Sequence, residues 1–217
     1  MDWFFKFFFL ILAYLIGSIP FGLLLAKAKH IDLKKIGSGN IGATNTGRAL
    51  GKKYAFLTFL LDLIKGGLFV GLYRYNVLPS EWCLLTPMLY GLAATIGHAF
   101  PIYLKFHGGK CVSTGSGAIG VYAPILFAVG IAIFLVIALT TKLVSLASLI
   151  CTSSVMVGSV VITLVSGQFM YVLGDTKFWP FNYWFMIITI LICFLIFLRH
   201  FSNIKRLASG TEKPTDY

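Results

Sequence analysis

The chain has 217 residues, 58% hydrophobic and only 12% charged, with a mean hydropathy of +0.88; a soluble domain carries about twice that charged fraction, so a soluble fold is excluded. The formal net charge of +11 does not point to nucleic acid, because the basic residues interrupt and flank apolar runs. That is the cytoplasmic bias of positive charge in membrane proteins, with an anionic substrate added.

Residues 3–26 form an apolar run long enough for a bilayer span, with neither a basic start nor a small-residue cleavage site. Pro20, in Gly17-Ser18-Ile19-Pro20, predicts a kink or an end there. Segment 27–53 holds seven basic residues against one acid, Asp32. It contains Gly37-Ser38-Gly39-Asn40-Ile41-Gly42-Ala43-Thr44-Asn45-Thr46-Gly47-Arg48, with two amides, three hydroxyls, four glycines and a guanidinium. Glycines let successive N–H groups converge on an oxyanion, and Arg48 can add a bidentate contact. The same residue types also build ordinary surface turns.

Residues 54–75 make a second span, in which Asp62 and Lys65 share one helix face; they read as a neutralising pair that aids packing, or as groups facing a cavity. Residues 76–81 form a short external turn. A third span covers 82–104, with Gly97-His98-Ala99-Phe100-Pro101 near its end, and His98 reads as a packed, hydrogen-bonded histidine. The next block, Lys105-Phe106-His107-Gly108-Gly109-Lys110-Cys111-Val112-Ser113-Thr114-Gly115-Ser116-Gly117, has the composition of a P-loop without its spacing. What survives is a flexible backbone nest, an ammonium and hydroxyls.

The apolar run that follows is broken at Tyr122-Ala123-Pro124 and splits into a short helix, about 110–122, and a full one, 124–140. The short one is below spanning length, so its polar start enters the membrane only if it is buried in protein or lines a wet cavity. After the turn Thr140-Thr141-Lys142 comes a helix over 143–166 that opens with Ser145 and Ser148. Residues 167–182, with Asp175, Lys177 and Pro180, read as an external interfacial loop. A last span, 183–198, runs into the basic tail Arg199-His200-Phe201-Ser202-Asn203-Ile204-Lys205-Arg206-Leu207-Ala208-Ser209-Gly210-Thr211-Glu212, ordinarily a topology anchor. The four cysteines, Cys83, Cys111, Cys151 and Cys193, are scattered, form no metal-binding spacing and read as free buried thiols.

The expectation is an all-α polytopic membrane protein, a single domain over 1–217, with seven transmembrane helices, the N-terminus outside and the C-terminus cytoplasmic. This topology puts 14 of the 18 basic residues inside, as the positive-inside rule requires. It also brings the three polar blocks to the cytoplasmic face.

Those blocks, GSGNIGATNTGR (37–48), HAFPIYLKFHGGKCVSTGSG (98–117) and RHFSNIKRLASGTE (199–212), with GSIPFG (17–22) and DLIKG (62–66), resemble the bacterial acyl-phosphate-dependent glycerol-3-phosphate acyltransferase family. The similarity runs over nearly the whole chain, in order and at the family's spacing. It implies a compact seven-helix enzyme of the cell (plasma or inner) membrane, its active site on the cytoplasmic face. Such an enzyme moves a fatty acyl group from acyl phosphate to sn-glycerol 3-phosphate, giving 1-acyl-sn-glycerol 3-phosphate (lysophosphatidic acid) and phosphate. This is the first step of phospholipid biosynthesis, and it uses neither acyl-CoA nor acyl-carrier protein.

By that resemblance Ser38, Arg48 and Lys110 hold the phosphate of glycerol 3-phosphate, His200 and Asn203 its hydroxyls, with Ser145 contributing. Asn40, Gly42, Ala43, Thr44, Asn45, Gly108 and Gly109 hold the phosphoryl group of acyl phosphate. Ser38, Lys110 and His200 are the candidate catalytic residues. No cofactor and no metal are expected. The partners are the two substrates and membrane lipid, with an acyl-phosphate-producing enzyme as a candidate and no nucleic acid. Acyl phosphate is an activated mixed anhydride, so orientation and charge stabilisation matter more than a strong nucleophile. No Ser-His-Asp set is present, and direct attack is favoured, the proton passing to the substrate's own phosphoryl oxygen or to His200.

Three departures stand out. Cys111 replaces a usual glycine, His107 a common lysine, and the tail reads His-Phe-Ser-Asn where His-Arg-Glu-Asn is frequent. If position 111 needs φ > 0, cysteine there costs about 1 kcal/mol or more. A transporter for a phosphorylated solute shares the basic cytoplasmic loops, but should show repeat symmetry and polar outer loops. A structural subunit predicts no convergence of anion-binding residues.

Overall fold

The computed structural model describes residues 2–169 and 181–215. Among these there are ten α-helices and no strand: α1 Asp2–Gly17, α2 Phe21–Lys27, α3 Ala43–Leu50, α4 Lys52–Arg74, α5 Pro87–Ala99, α6 Val112–Tyr122, α7 Pro124–Thr141, α8 Val144–Phe169, α9 Tyr183–Arg199 and α10 Phe201–Ala208. Three helices, α4, α7 and α8, are long and apolar enough to cross a membrane; two bent pairs, α1 with α2 (42°) and α9 with α10 (60°), raise the number to five.

The breaks sit where the chain chemistry puts them. Proline removes a backbone donor and disfavours a helical residue before it. Accordingly α1 ends at Gly17 ahead of Pro20, and Pro124 opens α7 directly after α6. The same rule shortens the span expected over 82–104: its α-helix runs only from Pro87, which starts α5, to Ala99, because Phe100-Pro101 ends it, and a 3-10 turn follows over Ile102–Leu104. The loop expected over 167–182 falls largely on 170–180, outside the described residues, while Asn182 caps α9 by accepting from the Phe185 N–H at 3.1 Å.

α4 and α6 touch through their backbones. A side chain at Gly66 would run into the carbonyl of Thr114, and one at Gly117 into that of Leu63. Small residues at such a crossing let helices approach closely where lipid offers no hydrophobic drive to associate. This contact seats α6, only 11 residues long, inside protein. Tyr122, Phe185, Ile188 and Ile192 pack the apolar core beside it, whereas α7 turns Val129 and Val136 outward, as a lipid-facing helix does.

Asp62 and Lys65 are both buried and ion-paired at 2.6 Å. The ammonium also donates to the Ile19 carbonyl at 2.8 Å, which ties α4 to the break between α1 and α2. His98 lies beside them, its Nδ1 3.6 Å from Asp62 and 3.1 Å from the Thr114 hydroxyl.

Candidate active site

One cavity of about 1300 Å³ gathers the polar blocks. Ser38, Asn40, Gly42, Ala43, Thr44, Asn45 and Arg48 enter from the loop before α3 and from α3 itself, Lys110 from the loop before α6, Ser145 from α8, and His200 and Asn203 from α9–α10. Two helix N-termini face it. The first N–H groups of any helix lack intrahelical acceptors and carry the positive end of the dipole, so each is an anion site. Gly42 precedes α3, and Cys111 precedes α6 with Val112 and Ser113 at the cavity wall.

The loop 37–42 is shaped by its own amides. Asn45, buried, accepts from the Ser38 N–H at 2.9 Å and donates to the Leu33 carbonyl at 3.1 Å. Its side chain is therefore fully engaged in holding Ser38, so it positions the loop. Asn40 accepts from the Gly42 N–H at 2.9 Å and keeps its amide donors for the cavity. Gly37 and Gly39 take φ of 58° and 67°, which their lack of Cβ permits.

Gly108 and Gly109 stand apart from the cavity wall. Their N–H groups donate to the carbonyls of Ala99 and His98 at 3.2 and 3.0 Å. Their carbonyls accept from Arg199, whose Nη2 reaches Gly108 at 2.7 Å and whose Nε reaches Gly109 at 3.0 Å. No donor is left for a phosphoryl group. Glycine is needed here for close approach, since a side chain at 109 would meet the His98 ring and one at 108 the His98 carbonyl.

His200 is buried and its Nδ1 lies 2.8 Å from the Ile196 carbonyl. A carbonyl only accepts, so Nδ1 carries the proton and Nε2 is the ring's free acceptor. Asn203 donates through Nδ2 to Glu212 at 2.6 Å, while its Oδ1 is buried without a hydrogen-bond partner. A buried acceptor left open at a cavity is unfavourable until a donor arrives, and a substrate hydroxyl is such a donor.

Glu212 escapes sequence reasoning, although it is the one acid in the stretch 199–212. Its carboxylate accepts from Ser145 at 2.8 Å, from Asn203, and from Arg206 Nε at 2.6 Å. Burial pushes its pKa up, but the hydrogen bonds from Ser145, Arg206 and Asn203 outweigh it and hold the group below the usual glutamate range. Beyond it the tail is fixed by the Thr215 N–H, which donates to the Lys142 carbonyl at 2.9 Å.

Lys110 is strongly altered by its surroundings. Burial pushes its ammonium down to about 8, with Glu212 pulling upward and Arg206 and Arg48 downward. The ammonium binds phosphate only while protonated. In the free protein kcat/KM for a phosphorylated substrate should therefore fall as pH rises through about 8, where an ordinary lysine holds to ~10.4. A bound dianion stabilises the charged form, so kcat at saturation should stay level to higher pH. A pH series of both constants checks this, and identical profiles would refute it.

The departures at 107 and 111 have definite consequences. His107 is exposed, outside the cavity, with Nδ1 2.6 Å from the Lys105 carbonyl. Cys111 is left-handed at φ 66°, ψ 0°, and buried. Cys111→Ala keeps the strain and loses the thiol's packing, so it should cost about 1 kcal/mol; Cys111→Gly removes strain of about 1–2 kcal/mol and should match or exceed the parent. Thermal unfolding in detergent gives the order, and Ala above Gly would contradict it.

Asp62 and His98 also reach the cavity wall, with Ser116 and Ser148, and beside them runs an apolar stretch of Phe59 on α4, Ile119 on α6, Phe127, Ile131 and Phe134 on α7, and Val155 on α8. The cavity therefore joins an anion-binding end to a greasy groove.

A family model described as glycerol-3-phosphate acyltransferase matches residues 7–210. The glycerol-3-phosphate acyltransferase of Bacillus velezensis is 41% identical over 204 residues, 94% of this chain and 94% of its own length. That of Bacillus cytotoxicus is 37% identical over 210 residues, 96% of this chain and 94% of its own. Among solved structures, the glycerol 3-phosphate form of PlsY, an integral membrane glycerol 3-phosphate acyltransferase, is similar with a TM-score of 0.81 and 35% identity, covering 97% of this chain and 96% of that one. Its lysophosphatidic acid form gives 0.78 at 36% identity, with 96% and 94% covered.

Proposed function

Because this chain belongs to the glycerol-3-phosphate acyltransferase family, we propose that the cavity binds glycerol 3-phosphate and acyl phosphate together and transfers the acyl group directly between them. The observation that carries the reading is the meeting of two helix N-termini, Arg48, Lys110 and an open buried acceptor at one end of a cavity whose other end is apolar. Two phosphates need two anion sites, and an alkyl chain needs the groove. The lining residues of α7 run from Phe127 to Leu139, about 18 Å of helix, a length that seats a long chain.

In this reading Ser38, Arg48 and Lys110 take the phosphate of glycerol 3-phosphate, with the N-terminus of α6 beneath it. Asn203 Oδ1, His200 Nε2 and Ser145 take its hydroxyls. Asn40, Ala43 and Thr44, at the N-terminus of α3, take the phosphoryl group of acyl phosphate, and Gly42, whose N–H is spent on Asn40, positions rather than touches, as do Asn45, Gly108 and Gly109. The sn-1 hydroxyl oxygen attacks the acyl carbon, the carbon–oxygen bond to phosphate breaks, and inorganic phosphate leaves. Holding both substrates in line supplies roughly 7–11 kcal/mol of the barrier at best. The hydroxyl proton passes to a phosphoryl oxygen, with His200 Nε2 orienting the hydroxyl. As a general base His200 is the rival, and His200→Gln that keeps most turnover at saturating glycerol 3-phosphate sinks that role.

The membrane arrangement belongs to the same proposal. The chain is one domain of seven segments, α1–α2, α4, α5, α6, α7, α8 and α9, with the N-terminus outside and the site on the cytoplasmic face of the cell membrane. The distribution of basic residues supports it. An enzyme that makes acyl phosphate is a candidate neighbour, since a mixed anhydride is short-lived in water.

The test is phosphate release by the purified protein in detergent, given palmitoyl phosphate with and without glycerol 3-phosphate, and palmitoyl-CoA as the other donor. Release that needs both palmitoyl phosphate and glycerol 3-phosphate is expected. Binding of glycerol 3-phosphate without release would instead favour a carrier of phosphorylated solutes.

A further inference from the structure

We infer that Arg199 is a positioning residue that sets the distance between Lys110 and His200, and so matches the site to a substrate whose phosphate and attacking hydroxyl are a fixed length apart. This rests on the proposed roles of those two residues and adds one that neither the loop nor the tail shows alone.

The geometry is a two-sided clamp on Gly108-Gly109. On one side, the pair's N–H groups cap the end of α5, taking the carbonyls of Ala99 and His98. On the other, the guanidinium of Arg199 takes both carbonyls, at 2.7 and 3.0 Å, and lies 5.5 Å from the ring centroid of Phe100. All four main-chain polar groups of the pair are thus bonded, and the next residue is Lys110. Arg199 is also the last residue of α9 and the neighbour of His200, whose ring is held by the Ile196 carbonyl of the same helix. One rigid helix end therefore fixes the hydroxyl-side ligand directly and the phosphate-side ligand through two hydrogen bonds.

The chemistry requires arginine. Two successive carbonyls at this spacing are met by the planar fork of a guanidinium, whereas an ammonium is a single point donor. The clamp also faces a loop that needs holding, because Cys111 one step beyond Lys110 is left-handed at φ 66°. Without Arg199, two carbonyls lose their charged partner and Lys110 hangs from a strained, one-sided loop. Displacement of a binding group by ~1 Å can cost about a hundredfold.

The experiment measures both Michaelis constants and kcat for wild type, Arg199→Ala and Arg199→Lys in detergent, with and without millimolar methylguanidinium, and with methylammonium as the salt control. For Arg199→Ala the KM for glycerol 3-phosphate should rise about ten- to a hundredfold, with kcat and the KM for palmitoyl phosphate within about threefold, the pattern of lost ground-state and transition-state binding alike. Methylguanidinium should restore part of the loss and methylammonium none. Arg199→Lys should fall between the two, and gives the same reading if the alanine variant does not fold. An unchanged KM for glycerol 3-phosphate overturns the inference, as does equal loss for both substrates that methylguanidinium leaves untouched. A wild type that transfers no acyl group would instead refute the proposed function, so the two failures are separate.

Discussion

Lys110→Ala should lower kcat/KM for glycerol 3-phosphate by about 10–100-fold, because the substrate's phosphate loses a charged hydrogen-bond partner worth about 1.5–3 kcal/mol. The ammonium follows the clamped glycines and lines the cavity beside the N-terminus of α6. Its depressed pKa, about 8 from burial, shows that the protein holds it in a place where charge is costly, and a phosphate arriving there relieves that cost. Lys110→Arg should recover little, because the guanidinium is bulkier and differently branched. Steady-state kinetics decide the matter; a loss under about tenfold would move the anion site away from Lys110 and toward Arg48 and the α3 N-terminus. Substrate-dependent protection of the protein against thermal unfolding should vanish together with activity, since binding to the native state alone raises stability.

Asp62→Ala should destabilise the protein by about 3–5 kcal/mol, because it leaves the ammonium of Lys65 buried without its counter-ion. Lys65 is buried at 2.6 Å from Asp62 and 2.8 Å from the Ile19 carbonyl, with Asp62 itself at the cavity wall. For a chain of this size such a loss lowers the melting temperature by roughly 10 °C or more. Replacing both partners, Asp62→Ala with Lys65→Met, should restore much of the stability, since two apolar groups of similar volume require no compensation. Unfolding in one detergent at one protein concentration tests both variants. A single variant as stable as the parent would mean that water reaches the pair, and the packing reading of Asp62 and Lys65 would fail.

Much of the site was legible in the chain. The glycine-rich block 37–48 and the run ending at Asn203 carry functional groups too polar for their surroundings, and both line one cavity. Helix ends were legible at Pro20 and Pro124, which act through local sterics that no tertiary contact reverses; Pro101 acts in the same way, yet the expected span 82–104 ran through it while α5 stops at Ala99. The φ > 0 requirement at Cys111 was foreseeable as a condition and is met at 66°.

Other roles were illegible because they depend on which atoms meet. Asn45 and Asn40 are the same residue type five apart, yet one is spent on Ser38 and Leu33 while the other keeps its donors. Gly108 and Gly109 read as a nest and are close-packing residues against His98. Arg199 reads as a topology anchor and clamps a loop some ninety residues earlier. Glu212 reads as one acid in a basic tail and organises Ser145, Asn203 and Arg206.

By itself, then, the sequence determined the membrane setting, the helix breaks at Pro20 and Pro124, the family and the inventory of candidate anion-binding groups, all properties of composition, spacing and local backbone chemistry. Only the tertiary structure decided which of those groups still have free donors and acceptors. Hydrogen bonds saturate, and whether a polar atom is available to a substrate depends on every other group that the fold has brought within about 3 Å of it.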